Sequence, residues 1–384
     1  MKQQVAGYRL SWHKNVKGTL PAEGDDRDLL SFVSEYVRDI NAGLLFMEAT
    51  PEKLTAELLQ ALVPTTTVLI MSREYVTDAG HVDLTTSLRK LGFGLALCDV
   101  DLAFLMASTP LVSQTTHILI CLDHPEFREI CSYAKQRTKP LCVVVEDIPG
   151  WQELKDCAAL GAYGFFGNLC LAPRQINHPA KLAPQAQQIM HLMQMVQGNA
   201  DIRHLEKALN SDVTLSYKLL QYINSAGFGL EVQIESPRHA VAMLGYEPLF
   251  RWLLLLLGRT SPAGFSPALM QAAMVRGRFA ELLGQGFLSR REAENLFVVG
   301  MCSSLDRLLG IPIKEVSGQL ALPESVAQAL ESPEGLYGPV LALAEATERD
   351  DGDVAILAQA LAMTNTHINQ AHLSAIAWVQ GIKL

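Results

Sequence analysis

The sequence predicts two domains of different class, a parallel α/β domain that is either doubly wound or barrel-like, followed by an all-α domain. Up to about residue 173, short apolar runs alternate with longer amphipathic stretches, whereas the rest of the chain carries apolar residues at helical spacing. A proline-rich connector at 172–185 separates the two patterns. A chain of 384 residues is also too long for one ordinary hydrophobic core, so length alone favours two domains.

The apolar runs of the first half predict the strands of one sheet. They lie at 43–49, 66–72, 92–100, 116–123, 140–147 and 162–167. Continuous apolar strands separated by helices indicate a parallel sheet covered on both faces, either doubly wound or closed as a barrel. Acidic residues lie at the ends of four of the runs: Glu48, Asp99, Asp123 and Glu146. In a barrel, that rim is where chemistry would take place.

The second half predicts helices with recognisable ends. Residues typical of helix starts and stops recur between the apolar stretches, namely Asp212, Ser236, Gly245, Gly258, Pro267 and Gly310. A segment with two glycines at 226–235 predicts a loop between two of these helices. The second domain is therefore expected to be all-α.

Composition and charge restrict the classes of partner. The chain is 49% hydrophobic and 18% charged, as expected of a protein that folds. Its net charge of -9 leaves no overall basic field, so nucleic acid is not an expected partner. The longest apolar run, at 249–258, is about half the ~20 residues that cross a bilayer, so no membrane insertion is expected.

The N-terminal residues and the cysteines both predict a cytoplasmic protein. The first fifteen residues contain no apolar segment followed by a small-residue cleavage site. The seven cysteines form no CxxC pair, and an odd number without a secretory signal indicates reduced thiols.

A set of fixed spacings over 205–255 resembles the HDOD family. The matching residues are Asp212, then Leu220, Asn224, Ser225 and Ala226, then Ser236, Ala240, Val241, Leu244 and Gly245. One departure is Val213, where the family usually has proline after the aspartate. The resemblance implies an all-α HDOD domain at 191–384, preceded by a connector at 176–190. We expect Asn224 to bond the neighbouring loop, which makes it a structural residue.

The stretch GMCSSLDRL raises the question of a metal site or a nucleophile in this domain. HDOD domains are similar to metal-dependent HD phosphohydrolases, in which a helix supplies adjacent His and Asp ligands. On that pattern Ser303 and Ser304 stand at the His and Asp positions. Serine is a poor ligand beside imidazole or carboxylate, so we expect no metal there. No histidine lies near in sequence to act as a base, so a packing role is favoured over a nucleophilic one.

The strand order of the first half resembles an EAL-type domain that precedes an HDOD domain. The resemblance implies a TIM-barrel type fold over 1–175, in a family that hydrolyses cyclic di-GMP with two metals held at strand ends. On this alignment Tyr8, Arg9 and Leu10 occupy the Glu-Ala-Leu signature, Glu48 replaces an Asn ligand, Asp99 remains from an Asp-Asp pair, and Glu146 is retained. Hard cations need several oxygen ligands each, so two-metal catalysis is not expected.

These observations predict a non-enzymatic bacterial signalling protein that acts through protein–protein contacts. We expect no catalytic, cofactor-binding or metal-binding residue, and a partner that is another signalling protein, with a second copy of the chain as a further candidate. The partner surface is expected near 172–200. Two alternatives remain: a cyclic di-GMP phosphodiesterase, or an effector that binds cyclic di-GMP, either of them using the residual carboxylates Glu48, Asp99, Asp123 and Glu146.

Overall fold

The chain forms two compact units in a computed structural model. The structure describes residues 4–10, 43–48, 54–77, 82–107, 109–167, 169, 182–224, 233–260, 266–320, 322–349, 353–380 and 382. One unit comprises Met1–Pro173 with Glu345–Leu384, and the other comprises Arg174–Ala344. The sequence predicts domains at 1–175 and 191–384 with a connector between them. These bounds stay a prediction, distinct from the two units of the structure.

The first unit contains a parallel sheet of seven described strands. They are β1 (Gly7–Leu10), β2 (Leu44–Glu48), β3 (Thr67–Ser72), β4 (Gly94–Cys98), β5 (His117–Cys121), β6 (Cys142–Glu146) and β7 (Gly164–Phe165). Each strand pairs with the next in the chain, so spatial order equals sequence order. The predicted parallel sheet is therefore confirmed.

Helices connect these strands, as the amphipathic stretches predict. They are α1 (Ala56–Ala61), α2 (Arg73–Thr77), α3 (Val82–Leu91), α4 (Leu102–Met106), α5 (Pro110–Gln114), α6 (Phe127–Gln136) and α7 (Trp151–Leu160). The first helix is capped by Thr55, whose side chain accepts from Leu58 N. Asp101 caps α4 in the same way, and Gly161 ends α7 in the left-handed region at φ 96°.

Both faces of the sheet are buried. Alternate strand residues such as Met47, Leu69 and Val143 belong to the large core that includes the helices. The intervening residues form a smaller cluster on the opposite face: Phe46, Val68, Ile70, Ala96, Leu119 and Val144. Because side chains alternate along a strand, this second cluster marks a separate, inner face of the sheet.

The sheet curls into a half-barrel, and the predicted TIM-type barrel is wrong. Strands β1 and β6 would lie about 24 Å apart in a flat sheet. Instead, Arg9 Nη1 on β1 lies 2.5 Å from Glu146 Oε1 on β6, across the inner face. In the described part of the chain β7 pairs with β6 and β1 pairs with β2, and no pairing joins β7 to β1. With only two residues, β7 offers too few backbone groups to close the sheet.

The remaining described helices make the rest of the chain mainly helical, as predicted. They are α8 (Pro184–Gln197), α9 (Ile202–Asn210), α10 (Val213–Ile223), α11 (Pro237–Leu244), α12 (Tyr246–Gly258), α13 (Pro267–Gly284), α14 (Arg290–Cys302), α15 (Leu305–Leu309), α16 (Ile313–Leu320), α17 (Glu324–Glu331), α18 (Gly338–Arg349), α19 (Val354–Ala360) and α20 (Asn365–Gln380). The most extensive helix pairing in the second unit joins α13 to α14.

Within the described ranges, no single helix has the length and apolar character needed to cross a membrane. Two pairs of consecutive helical segments reach that length and apolar character only when both members are counted together. Each pair is sharply bent: by 114° between α11 and α12, and by 117° between the segment Arg290–Leu309 and α16.

Candidate functional site

The carboxyl-end rim of the half-barrel gathers the polar strand-end residues of the first unit. Glu48 lies two residues beyond Phe46 of the inner cluster, and Glu146 lies two residues beyond Val144. Since side chains alternate, both carboxylates face the same concave side as the inner cluster. Arg9 reaches them from β1. We call this set of three charged residues the rim triad.

Arg9 bridges the two carboxylates of the rim triad. Its Nη1 donates to Glu146 Oε1 at 2.5 Å, and its Nη2 donates to Glu48 Oε1 at 3.2 Å. The guanidinium also lies 5.8 Å from the centre of the Phe166 ring. Burial alone would lower the pKa of Arg9, but the neighbouring carboxylates raise it above its ordinary value. A permanent internal cation therefore occupies the place between the two carboxylates.

Aromatic rings fill the concave face beside the rim triad. Phe46 packs edge-on against His117, with centroids 5.2 Å apart, and against Phe166 at 5.1 Å. His117 in turn meets the ring of Tyr163 at 5.9 Å. Burial lowers the pKa of His117 to about 4, with a smaller contribution from Arg89. This histidine is therefore neutral at neutral pH and serves as a core residue.

Two cysteines and the remaining acidic residues complete the rim. Burial, then the charge of Asp99, raises the pKa of Cys98 to about 12. The pKa of Cys121 is raised by burial and by the negative charges of Glu146, Asp147, Asp123 and Asp99. Both thiols stay protonated at neutral pH, which disfavours a nucleophilic role.

The structure brings the sequence-predicted rim residues together only in part. The charges of Asp99, Asp123 and Glu146 all act on the Cys121 thiol, whereas Glu48 is held to Glu146 through Arg9. Asp99 adopts a positive φ of 58° directly after β4. Within the described ranges, no group of three or more His, Cys, Asp or Glu side chains is placed to hold a metal ion.

Tyr8 and Leu10 do not belong to the rim. Both pack against the large core on the convex face, opposite to Arg9. The bridging role of Arg9, and the rings of Phe166 and His117, were not predicted from the sequence. The local sequence shows only that a cationic residue, Arg9, lies on the opposite face of β1 from Tyr8 and Leu10. Its two carboxylate partners lie 39 and 137 residues away along the chain.

The HDOD-like motif residues of the second unit have structural roles. Asp212 begins α10, and its side chain accepts from Thr214 N at 2.8 Å and Leu215 N at 3.1 Å. Gly245 joins α11 to α12 with φ 81°, a conformation that favours glycine. Ser225 and Ala226 lie outside the described residues.

Asn224, directly after α10, bonds the backbone of Ile234. Its Nδ2 donates to Ile234 O, and its Oδ1 accepts from Ile234 N, both at 2.8 Å. Ile234 itself is buried. The side-chain amide of Asn224 thus pairs with the backbone N–H and C=O of Ile234, ten residues further along the chain. The expected bond between Asn224 and the neighbouring loop is confirmed.

We expect Asn224→Ala to lower the free energy of unfolding by about 1 to 3 kcal/mol, because two bonds to a buried backbone are lost. Chemical denaturation measures the change. Asn210→Ala is the matched control, since Asn210 ends the preceding helix and its side chain accepts one long bond from a described residue, Ser216 Oγ at 3.4 Å. Unchanged stability combined with loss of partner binding would place Asn224 in an interface instead.

The stretch around Ser303 is a packing seam. Ser303 Oγ accepts from Arg276 Nη1 at 2.8 Å and donates to Gly300 O at 2.8 Å. Ser304 is buried, and burial raises the pKa of Cys302 to about 12. Arg276 is only 2% exposed, so its guanidinium brings a buried positive charge against Ser303. The hydroxyl of Ser303 is engaged by an arginine and a carbonyl, and neither is a base.

Comparisons with known proteins support the second-unit assignment. Residues 180–309 match the HDOD domain family, while no match to an EAL domain is found. An uncharacterised protein of Bacillus subtilis, YuxH, is 23% identical over 365 residues, covering 92% of this chain and 89% of YuxH. The cyclic di-GMP phosphodiesterase CdgJ of Vibrio cholerae is 29% identical over 190 residues, covering 49% of this chain and 44% of CdgJ. No solved structure matches the chain.

Proposed function

We propose that this chain is a non-enzymatic protein of cyclic di-GMP signalling that acts through contacts with a signalling partner. The HDOD match at 180–309 and the relationship to CdgJ support a place in such signalling. The absence of turnover is our own inference from the rim triad and from the environment of Ser303. In this proposal the first unit is a degenerate relative of EAL-type domains.

The observation that carries the proposal is the position of Arg9. A metal-dependent phosphodiesterase needs carboxylates free to bind hard cations. Here Glu48 and Glu146 both bond one guanidinium, which already supplies the positive charge that a metal would bring. The inward-facing residue of β1 is Arg9, one position beyond Tyr8, so a cation stands where a carboxylate ligand would have to point.

A buried arginine also disfavours metal binding in the second unit. Arg276 lies within hydrogen-bond distance of Ser303, one of the two serines at the positions aligned with metal ligands. Placing a divalent cation beside a buried guanidinium would add electrostatic repulsion in a medium of low dielectric constant. In this proposal, an arginine guanidinium bonds the candidate metal-ligand positions in each unit: Arg9 bonds Glu48 and Glu146, and Arg276 bonds Ser303.

A phosphodiesterase or a cyclic di-GMP effector is the second candidate. The positions of Asp99, Asp123 and Glu146 at or just beyond the ends of β4, β5 and β6 favour it, because the carboxyl-end rim of a parallel barrel is where chemistry takes place. A phosphodiesterase would hydrolyse added cyclic di-GMP, and an effector would bind it without hydrolysis.

We expect the purified full chain to leave cyclic di-GMP intact in the presence of magnesium or manganese. Chromatography of the nucleotide products measures turnover, and calorimetry on the same samples measures binding. Turnover that is abolished by Asp99→Ala would contradict the proposal and establish the phosphodiesterase. Binding without turnover, lost in Asp99→Ala, would instead support the effector.

A further inference from the structure

A cleft in the second unit is lined by charged side chains that the proposed function does not use. It lies between α12, α13 and α14 and has a volume of about 570 Å³. Its lining residues are Arg251, Arg278, Glu281, Gln285, Leu288, Arg290 and Glu294. We call it the arginine cleft.

The carboxylates of the arginine cleft are already neutralised. Buried Glu281 accepts from Arg251 Nη2 at 3.1 Å through one oxygen and from Arg278 Nη1 at 2.8 Å through the other. Glu294 accepts from Arg290 Nε at 3.1 Å. Three arginines against two glutamates leave the lining with one net positive charge, in a chain whose net charge is -9.

Two of the arginines keep donors for a ligand. The hydrogen bonds that Arg251 makes within the described residues use Nη2 alone, to Glu281 and to Glu294 O at 3.0 Å, which leaves Nη1 and Nε. Its guanidinium is held in place over the ring of Phe297, 4.8 Å from the centroid. Among the described residues, Arg290 bonds through Nε alone, which leaves both of its terminal nitrogens.

These donors fit a phosphate group better than a carboxylate. Arg251 and Arg290 together offer more N–H groups than the two oxygens of one carboxylate can accept, whereas a phosphate ester presents three oxygens to two guanidiniums. The volume lies within the range of small-ligand sites. Leu288 and Gln285 supply apolar surface and an amide for the organic part of such a ligand.

We propose that the arginine cleft binds a small phosphate ester of nucleotide size. Arg251 is the fixed anchor, oriented by Glu281, Glu294 O and Phe297. Arg290, with its side chain 94% exposed, closes over the phosphate from the start of α14. The proposal depends neither on the rim triad nor on the loss of turnover.

The test titrates GMP and inorganic phosphate into the full chain by calorimetry at constant ionic strength. GMP is expected to bind the wild type, with phosphate competing. Arg290→Gln should weaken GMP binding by about tenfold, because charge-assisted hydrogen bonds are lost, and Arg290→Lys should weaken it less. Arg290 is too exposed for these changes to affect folding, and circular dichroism verifies this.

Arg349→Gln is the control, because Arg349 also forms an ion pair one helical turn away, with Glu345 at 3.8 Å, and does not line the arginine cleft. Its affinity for GMP should equal that of the wild type. The proposal is overturned if the wild type binds neither GMP nor phosphate, or if Arg290→Gln and Arg349→Gln bind GMP equally well. It is also overturned if a phosphoserine peptide binds at this cleft while GMP does not.

Discussion

Gly300→Ala is expected to destabilise the second unit by more than about 3 kcal/mol. A Cβ at Gly300 would lie 2.7 Å from Gly277 Cα and 2.9 Å from Arg276 O. Both are backbone atoms of the facing helix α13, so no side-chain rotation relieves the overlap. Overpacking of a core commonly costs about 1 to 3 kcal/mol and more when the backbone must move. Here α13 and α14 would have to separate along their main contact.

Urea denaturation followed by far-ultraviolet circular dichroism measures this effect. Gly318→Ala is the control, because Gly318 is an exposed residue within α16 and a Cβ there meets nothing within 4 Å. That substitution should leave stability unchanged or raise it by up to about 1 kcal/mol, as alanine favours helix. If Gly300→Ala were as stable as Gly318→Ala, the close helix crossing at this position would be refuted.

The class of each half could be predicted because local periodicity determines it. Continuous apolar runs gave the parallel strands, and helical spacing gave the helices. Closure of the sheet could not be predicted in this way. Whether a curled sheet closes depends on the lengths of its last strands and on their register, and the run at 162–167 contains only the two residues of β7.

The same distinction between local and long-range information applies to the site residues. The bond between Asn224 and the adjacent loop connects residues ten apart, so local motif spacing was sufficient to predict it. Small residues within an apolar helix indicated the close packing at Gly300. The role of Arg9 could not be predicted, because its partners are distant in sequence and meet it only when the sheet curls.

Removal of Arg9 is expected to produce the largest effect in the first unit. Arg9→Ala would leave Glu48 and Glu146 facing each other without a cation. Breaking a fully buried ion pair costs about 3 to 5 kcal/mol, but Arg9 is about one-third exposed, so we expect about 2 kcal/mol. Arg73→Ala is the matched control. It breaks the more exposed contact with Asp101 and should cost less than about 1 kcal/mol.

The same variant tests whether Arg9 takes the place of a metal. If the guanidinium substitutes for a cation, then Mn²⁺ should raise the melting temperature of Arg9→Ala, because an ion that binds only the folded chain stabilises it by mass action. The wild type and Arg73→Ala should show no such shift. Adding Glu146→Gln to Arg9→Ala should restore part of the lost stability and abolish the response to Mn²⁺, since only one carboxylate remains. An equal response to Mn²⁺ in the wild type would mean that the ion binds elsewhere, and that Arg9 does not occupy a former metal position.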